Sequence, residues 1–511
     1  MKLFFTALFV GLFIFNVTAQ RNDEISEHDA SDAIAYKLQF PDEHIVNREK
    51  RVEISFDFDK RNKQVAVIER TSADLMNLNT SYRIQYPVFY DAESEVGEFE
   101  VLGRDGKRRR NVSYSVQDEF LKQEDLFHTD YRVKYVNLNF PLLGYRHMVN
   151  TEKTYHDIKY FTSFYFTDAY RIADGELNII VPDWLELEVK EFNFEGYSIE
   201  KSETQVKEGK SITYTYKRIA PRATDANTPG PSYVYPHLLF IAKSFYDGES
   251  KNILFNSTDD LYAWYNGLVK NVTVDPSAYA AKVVELTKDA TSDKEKIENI
   301  YYWVQDNIRY IAFEDGLAGF QPDSPQNVFN KRYGDCKGMA FLIKAMLEEA
   351  GFDARLVWIG TDRLAYDYSF PSLSVDNHMI CAVNLDNETI FLDGTEKYNR
   401  FGEYATRIQN KEAMVQNKDS YSLLTVSDAN GDQNSDVTRL HLSIDGATLT
   451  GKAERFYESE SRVQFQNVFN SLEKGDQTEI LSNYLSGGNS NYIIKEVVPF
   501  DPEKRDKNLS L

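Results

Sequence analysis

Three residue types that together can carry out nucleophilic catalysis occur in order along the chain, as Cys336, His378 and Asp393. A thiolate can attack a carbonyl carbon, an imidazole can accept and return a proton, and a carboxylate can orient the imidazole. The chemistry open to such a set is acyl transfer at an amide through a thioester. Cys336 is one of only 2 cysteines in 511 residues, so its position is informative.

The segment around this cysteine, "RYGDCKGMAFLIKAMLEEAGF", places a glycine-flanked turn directly before an amphipathic pattern. The pattern predicts a helix from Cys336 to Glu349, with Gly351 as the glycine that follows a helix end. The free N–H groups and the dipole of a helix start stabilise an anion. The spacing therefore favours a reactive thiolate at Cys336.

Some residues beside Cys336 favour its reaction with a substrate, and one disfavours it. Gly334 and Gly338 are expected to leave backbone room for a substrate, because glycine has no Cβ. Asp335 places a negative charge next to the thiol and disfavours its ionisation. A nearby imidazole is therefore needed, and His378 is the candidate.

His378 begins the apolar run "HMICAVNL", and Asp393 lies near the end of the next predicted strand. A two-residue turn at 386–387 would place Ile380 opposite Asp393 and His378 opposite Thr395. This register puts the histidine and the aspartate on one face, diagonal to each other and within reach. A loop of three residues would shift the register by one and place the two side chains on opposite faces.

Two alternative roles for the cysteines stay open at this point. Cys336 and Cys381 could form a disulfide, as exported chains with two cysteines often do. A metal site built from Cys336, His378, Cys381 and Asp393 is disfavoured, since His378 and Cys381 lie three apart on a strand and point to opposite faces. The same parity predicts that Cys381 packs beneath the sheet as a small apolar residue.

An oxyanion formed during acyl transfer needs hydrogen-bond donors. The backbone N–H of Cys336 is the expected donor. A side-chain amide from the preceding loop could assist, and Gln321 is chosen ahead of Gln326 for this role.

The motifs "RYGDCKGMAFLIKAMLEEAGFDARLVWI", "NHMICAVNL" and "FLDGT" resemble the core of the transglutaminase-like superfamily of papain-type cysteine enzymes, over roughly residues 280–400. The resemblance implies that Cys336 is the nucleophile, His378 the base and Asp393 the residue that orients the base. It also implies a papain-like core flanked by β-rich domains, as in exported bacterial members. The sequence has Asp-Gly where the family more often has Asp-Pro, which keeps the aspartate and changes the turn after it.

Periodicity outlines the elements around these residues. An i, i+3, i+4, i+7 stripe predicts a helix carrying Ile297, Tyr301 and Val304 on one face, and Ser292 with Glu295 forms a potential capping box at its start. From about 35 to 220 the alternation is that of strands, as in "RVEISFDF", and no helix is predicted there.

The predicted fold class is α+β, with a papain-like transglutaminase core between two β-rich domains. Residues 1–19 are interpreted as a cleaved signal peptide with its cut at Ala19–Gln20. The predicted domains are 20–250, β-rich; 258–422, catalytic; and 437–511, β-rich and expected to be incomplete because it ends on the opening of a strand. No stretch after the signal reaches the length of a membrane span, and the protein is expected to be periplasmic or secreted.

The net charge of −22 argues against nucleic acids and anionic membranes as partners. The predicted partner is a peptide or protein substrate in the cell envelope, and no cofactor or metal is expected. The predicted function is cysteine-dependent acyl transfer at peptide or glutamine-type amides, with hydrolysis favoured over crosslinking. The alternative is a catalytically inactive, transglutaminase-like binding or adhesion protein of the envelope.

Overall fold

The protein was analysed as a computed structural model that describes residues 25–103, 114–121, 127–223, 228–314, 316–429, 431, 434–497, 505 and 509–510. The predicted signal peptide, 1–19, lies outside the described residues. The chain divides into two compact units, the first formed mostly by residues up to 256 and the second mostly by residues from 257 onwards. The domain limits taken from the sequence remain predictions.

The elements up to residue 256 are α1 (Glu27–Gln39), β1 (Ile45–Asp59), β2 (Gln64–Asn77), β3 (Tyr82–Tyr90), β4 (Ser94–Leu102), β5 (Gln117–Phe120), β6 (Phe127–Thr129), β7 (Arg132–Phe140), β8 (Arg146–Tyr155), β9 (Ser163–Tyr165), β10 (Arg171–Pro182), β11 (Leu185–Phe192), β12 (Ser198–Val206), β13 (Gly209–Ile219), α2 (Pro231–Val234), β14 (His237–Tyr246) and β15 (Lys251–Ile253). The later elements are α3 (Thr258–Lys270), α4 (Ala280–Thr287), α5 (Asp293–Asn307), β16 (Arg309–Tyr310), β17 (Ala312–Glu314), α6 (Pro325–Lys331), β18 (Tyr333–Gly334), α7 (Cys336–Glu349), β19 (Ala354–Ile359), β20 (His378–Leu385), β21 (Glu388–Leu392), β22 (Glu412–Asn417), β23 (Ser420–Thr425), β24 (Asp436–Asp445), β25 (Thr448–Tyr457), α8 (Ser459–Ser471), α9 (Gln477–Leu485) and β26 (Leu509–Ser510).

The first unit is built from β-sheets. Its largest described sheet has the order β12-β13-β10-β1-β2-β8-β4, with β1 and β10 parallel. Val52, Ile54 and Phe56 alternate into the core, as the sequence pattern predicts. Side chains from this sheet and from the β11-β14 sheet share one apolar cluster, which is the arrangement of a sandwich.

A helix also belongs to the first unit. Helix α1 begins at a capping box, in which Ser26 and Asp29 each accept from the other's backbone N–H. The sequence pattern predicts no helix from residue 35 onwards. That prediction is wrong for the end of α1, which continues to Gln39. The helix buries few apolar residues, so it lacks the periodic stripe that would have indicated it.

The second unit contains an antiparallel sheet in the order β21-β20-β19-β22-β23. Helix α7 packs on one face of this sheet, where Leu342 and Ile343 meet Cys381 and Val383 in a buried cluster. Burial of each large apolar side chain in such a cluster contributes about 1.5–3 kcal/mol. The packing fixes the start of α7 relative to the start of β20, which is the relation the site needs.

Helix α7 agrees with its predicted limits, and helix α5 agrees with its predicted start. Helix α7 runs from Cys336 to Glu349 as predicted, and Gly351 follows it with a φ of +92°. Helix α5 is capped by Ser292, whose hydroxyl accepts from Glu295 N at 3.2 Å. The Glu295 carboxylate turns instead to Thr291, so the capping box is only half formed.

The chain thus has a mixed architecture, with helices packed on an antiparallel sheet in the second unit and β-rich regions elsewhere, which confirms the predicted α+β class. A further described sheet has the order β24-β25-β26. None of the helices in the described parts of the chain combines the length and apolar character needed to cross a bilayer.

Candidate functional site

Cys336 is the first residue of α7, and the residues on either side of it form a buried ion pair. Asp335 caps the helix, with its Oδ1 accepting from Gly338 N at 2.8 Å. The Asp335 carboxylate also pairs with the Nζ of Lys337, and both side chains are more than nine-tenths buried. The negative charge that the sequence places beside the thiol is therefore compensated by a lysine whose role the sequence pattern does not indicate.

The two glycines near Cys336 serve packing. A Cβ added to Gly334 or to Gly338 would lie 3.0 Å from a methyl carbon of Val328 in either case. The space beside them is thus occupied by α6, and the expectation that they leave room for a substrate is wrong. Their small size allows α6 to pack against the start of α7.

The hairpin of β20 and β21 has the predicted register. Leu385 pairs with Glu388, and Asp386 and Asn387 form the turn with φ values of 52° and 68°. Positive φ at both central positions is the requirement of a type I′ turn. As a result His378 and Asp393 lie together, with 2.8 Å between Nε2 and Oδ2.

Asp393 is held by donors on both carboxylate oxygens. Its Oδ1 accepts from the N and Oγ1 of Thr395 at 3.0 and 2.7 Å. Its Oδ2 accepts from His378 and from Arg407 Nη2, the latter at 2.9 Å. The hydroxyl of Tyr301 donates to the Asp393 carbonyl at 3.0 Å. The carboxylate is therefore fixed in position before any substrate arrives.

Arg407 is a site residue that sequence reasoning missed. It lies on a short 3-10 helix, Thr406–Ile408, and its Nη2 is 2.9 Å from Glu396 Oε1 and 3.2 Å from His378 Nε2. The ionised carboxylate of Asp393 can only accept, so Nε2 must carry the hydrogen that it donates to Oδ2. Arg407 can only donate and therefore makes no hydrogen bond to this Nε2–H, and Nδ1 is left for the thiol.

The charges of the site favour a thiolate–imidazolium pair. Burial raises the pKa of the Cys336 thiol, but the charge of Lys337 and the hydrogen bond and charge of His378 outweigh it and lower the pKa. Burial lowers the pKa of His378, whereas the Asp393 carboxylate and the thiol raise it to about 9. Burial opposes the ionisation of Asp393, yet His378 and Arg407 hold its pKa well below the usual value. These charges thus favour the ionised thiol more than the surroundings of an ordinary cysteine do.

The two cysteines are free thiols, so the disulfide alternative is wrong in this structure. Cys381 is completely buried in the cluster beneath the sheet, as its strand parity predicts, and burial raises its pKa to about 12. Within the described residues, no group of three or more His, Cys, Asp or Glu side chains could hold a metal ion.

The loop glutamines make hydrogen bonds elsewhere. Gln321 Nε2 donates to the Leu268 carbonyl at 3.4 Å. Gln326 accepts from Asp275 N and donates to the Thr273 carbonyl. The structure records no bond from either amide to the three central residues, and the oxyanion role of Gln321 stays a prediction.

A second ionisable group lies two residues before His378. Both oxygens of Asp376 accept from the hydroxyl of Tyr265 at 2.9 Å, and Oδ2 also accepts from Tyr368 at 3.0 Å. Burial raises the pKa of this carboxyl to about 7, although both hydroxyls lower it. Sequence patterns contain no signal for this cluster, because the tyrosines come from separate segments.

We expect Asp376→Asn to remove a pH dependence of stability. The folded protein keeps a proton that the unfolded chain releases above pH ~4, so stability falls as pH rises from about 4 to 7. At pH 8 the variant should be more stable than the wild type by about 2–4 kcal/mol, and at pH 4 the two should be similar. Urea unfolding at both pH values measures this, and a difference independent of pH would contradict it.

The chain was compared with family models, with curated proteins and with solved structures. Residues 277–388 match the model of the transglutaminase-like superfamily, and no curated protein matches the chain. A solved structure from Parabacteroides distasonis aligns with TM-score 0.51 and 13% identity, covering 79% of this chain and 78% of that chain. A structure from Legionella pneumophila aligns with TM-score 0.25 and 12% identity, covering 51% of this chain and 80% of that chain. A structure from Cytophaga hutchinsonii aligns with TM-score 0.22 and 12% identity, covering 46% of this chain and 74% of that chain. The first is described as a putative protease, the second as a putative nutrient binding protein and the third as a putative cysteine protease. The first alignment shows a shared fold.

Proposed function

The chain contains a transglutaminase-like domain at residues 277–388, and we propose that it is a cysteine-dependent enzyme that transfers the acyl group of a peptide or glutamine-type amide. One observation carries the proposal. The thiol of Cys336 lies at a helix start with a lowered pKa, and it interacts with His378, whose ring is held by Asp393 at 2.8 Å. Structural cysteines lack this combination of an activating base and an orienting carboxylate.

In the proposed first step the Cys336 thiolate attacks the amide carbonyl carbon, and a C–S bond forms as the carbonyl becomes an oxyanion. The first N–H groups of a helix have no intrahelical acceptor. That of Gly338 is taken by Asp335, so the N–H of Cys336 is the proposed donor to this charge. His378 then gives its proton to the leaving nitrogen, the C–N bond breaks, and an acyl-thioester remains.

In the second step a nucleophile resolves the thioester. His378 takes a proton from water, the hydroxide oxygen attacks the acyl carbon, and Cys336 leaves as a thiolate. Water yields a carboxylic acid, whereas a lysine amine would yield a crosslink. We favour hydrolysis because water needs no second binding site.

We place the enzyme outside the cytoplasm, with a peptide or protein of the cell envelope as its substrate. The support is the apolar segment at residues 3–15, followed by small residues at the expected cleavage site. Expression in a bacterial host and N-terminal sequencing of the exported form should give Gln20 as the first residue. Retention of Met1 would contradict the proposed export.

The acyl-enzyme is the species that tests the reaction. Protein mixed with a library of glutamine-containing peptides, quenched with acid and measured by intact mass, should carry one acyl adduct on Cys336. The Cys336→Ala variant should carry none. Reaction in H₂¹⁸O should place ¹⁸O in the released carboxylate, and added methylamine would reveal transfer to an amine.

Two results would favour a binding protein over an enzyme. One is the absence of any acyl adduct with every peptide pool. The other is alkylation of Cys336 at the rate of an ordinary exposed thiol. Peptide binding that persists in both the wild type and Cys336→Ala, without turnover, would then assign the chain to the inactive alternative.

A further inference from the structure

A groove of about 350 Å³ lies in the second unit beside the proposed catalytic residues. The side chains and backbone that line it come from the end of α5, from β16, from the end of α6, from α7 and from the segment after β21. They are Gln305, Asp306, Asn307, Ile308, Arg309, Tyr310, Arg332, Met339, Gly394, Thr395 and Lys397.

The groove adjoins the three central residues at three points. Met339 lies one turn after Cys336 on α7. Gly394 and Thr395 follow Asp393 directly, and Thr395 bonds to its carboxylate. Tyr310 faces the thiol closely enough that, after burial, the thiolate charge is the next largest cause raising its pKa. A substrate seated in the groove would therefore reach the nucleophile.

The groove is positively charged. Arg309, Arg332 and Lys397 line it and are exposed, and the structure records no ion pair for any of them with a described side chain. Asp306, the carboxylate among the described lining residues, is paired with Arg505. Three uncompensated cations in one groove stand out in a chain of net charge −22.

Aromatic rings hold two of these cations in place. The guanidinium of Arg332 lies 4.8 Å from the ring centre of Trp303 and 4.4 Å from that of Phe329. The Nζ of Lys397 lies 5.5 Å from the ring centre of Tyr398. Held cations lose less side-chain freedom when they bind an anion, so they are better suited to recognition than mobile ones.

Gln305 adds a buried acceptor to the groove lining. Its side chain is almost fully buried, and its Nε2 donates to the carbonyls of Glu396 and Asn399 at 2.6 and 3.2 Å. Its Oε1 has no hydrogen-bond partner among the described residues. A buried acceptor without a donor is costly, and a ligand N–H would satisfy it.

We propose that this groove binds a peptide segment that carries a carboxylate, with Arg309, Arg332 and Lys397 facing the carboxylate and Gln305 accepting from a peptide N–H. The inference rests on the proposed function, for which it names the substrate class. The carboxylate belongs either to an acidic side chain or to a free C-terminus. A polyanion does not fit, because the strongly negative chain repels it outside the groove.

Direct binding tests the groove without requiring turnover. The Cys336→Ala variant is titrated with fluorescein-labelled octapeptides that have a central Gln and alanine at the other positions. One Glu or one Gln is moved through the flanking positions, and each peptide is made with a free and an amidated C-terminus. We expect at least a tenfold preference for Glu over Gln at one position, or for the free over the amidated end, and a decline of that preference with salt.

Charge reversal locates the binding. Arg309→Glu and Lys397→Glu, each combined with Cys336→Ala, should reduce the preference for the carboxylate by about tenfold. Lys474→Glu makes the same change of charge at an exposed lysine outside the groove, and it should leave the preference unaltered. Equal thermal midpoints of the variants show that the fold is kept.

The outcomes separate this inference from the proposed function. A carboxylate preference that falls in both groove variants supports the groove, even if no peptide is ever cleaved. Turnover without such a preference, or with one that Arg309→Glu and Lys397→Glu leave unchanged, overturns the groove and leaves acyl transfer standing. Absence of binding by every peptide overturns the groove as well.

Discussion

Replacing His378 with alanine should lower the rate of amide cleavage by about 10³–10⁴-fold and shift the alkylation of Cys336 to higher pH. The interaction with His378 is one of the two main influences that lower the thiol pKa, and burial, which raises it, would remain. Lys337 alone would then oppose burial. The variant should therefore hold a neutral thiol at pH 7, and it should also lack a proton donor for the leaving nitrogen.

Iodoacetamide modification followed by intact mass between pH 5 and 10 measures this shift. Cys381 should stay unmodified in the folded protein, because it is fully buried and its pKa is raised to about 12. Native protein should thus gain one adduct and unfolded protein two. His441→Ala, a change at an exposed histidine of β24, is the matched control and should alkylate like the wild type. Identical pH profiles for His378→Ala and wild type would contradict an activated thiolate.

The arrangement of the central residues could be predicted because short-range rules govern it. Turn length decides which face of a hairpin a side chain occupies, so the two-residue turn at 386–387 was enough to bring His378 and Asp393 together. The limits of α7 followed from an apolar stripe that ends before Gly351. Both patterns lie within about twenty residues of sequence, and tertiary packing did not override either one.

The residues that complete the electrostatics could not be predicted from such rules. Arg407 reaches Asp393 from a 3-10 helix that follows an irregular segment, where no periodicity indicates the direction of a side chain. Lys337 is adjacent to Cys336 in sequence, yet a lysine at that position ordinarily points to water. Its burial against Asp335 appears only in the folded chain, and the local pattern does not indicate it. Tyr301 belongs to the predicted apolar stripe of α5, and only the fold shows that its hydroxyl supports Asp393.

Replacing Asp393 with alanine should reduce activity by about 10³–10⁴-fold and destabilise the protein in a defined range of pH. The variant loses the acceptor that fixes the His378 ring, so the imidazole is neither oriented nor held protonated. Asp393→Asn keeps an oxygen acceptor but no charge. It should retain more activity than alanine, and the pKa of His378 should fall below about 9 in both variants.

The effect on stability follows from the two pKa shifts. Asp393 has a lowered pKa, so its contribution to the free energy of unfolding is present above its usual pKa of about 4 and is lost as pH falls. His378 has a raised pKa, so its contribution is complete below its usual value of about 6.5 and is lost as pH rises through about 9. The stability lost in Asp393→Ala should therefore be greatest from about pH 5 to 7, where removing one partner of a buried pair costs about 3–5 kcal/mol.

Urea unfolding at pH 3, 6 and 10, together with kcat/KM at pH 7, tests both parts of this expectation. Asp353→Ala is the matched control, since Asp353 directly precedes β19 of the same sheet and pairs with Arg355 at 2.7 Å in a more exposed position. That change should cost no more than about 1 kcal/mol, because exposed ion pairs contribute little. Loss of stability in Asp393→Ala with unchanged kcat/KM would show that the carboxylate supports the fold alone. Loss of activity even in the folded variant would instead place Asp393 beside His378 in the chemistry.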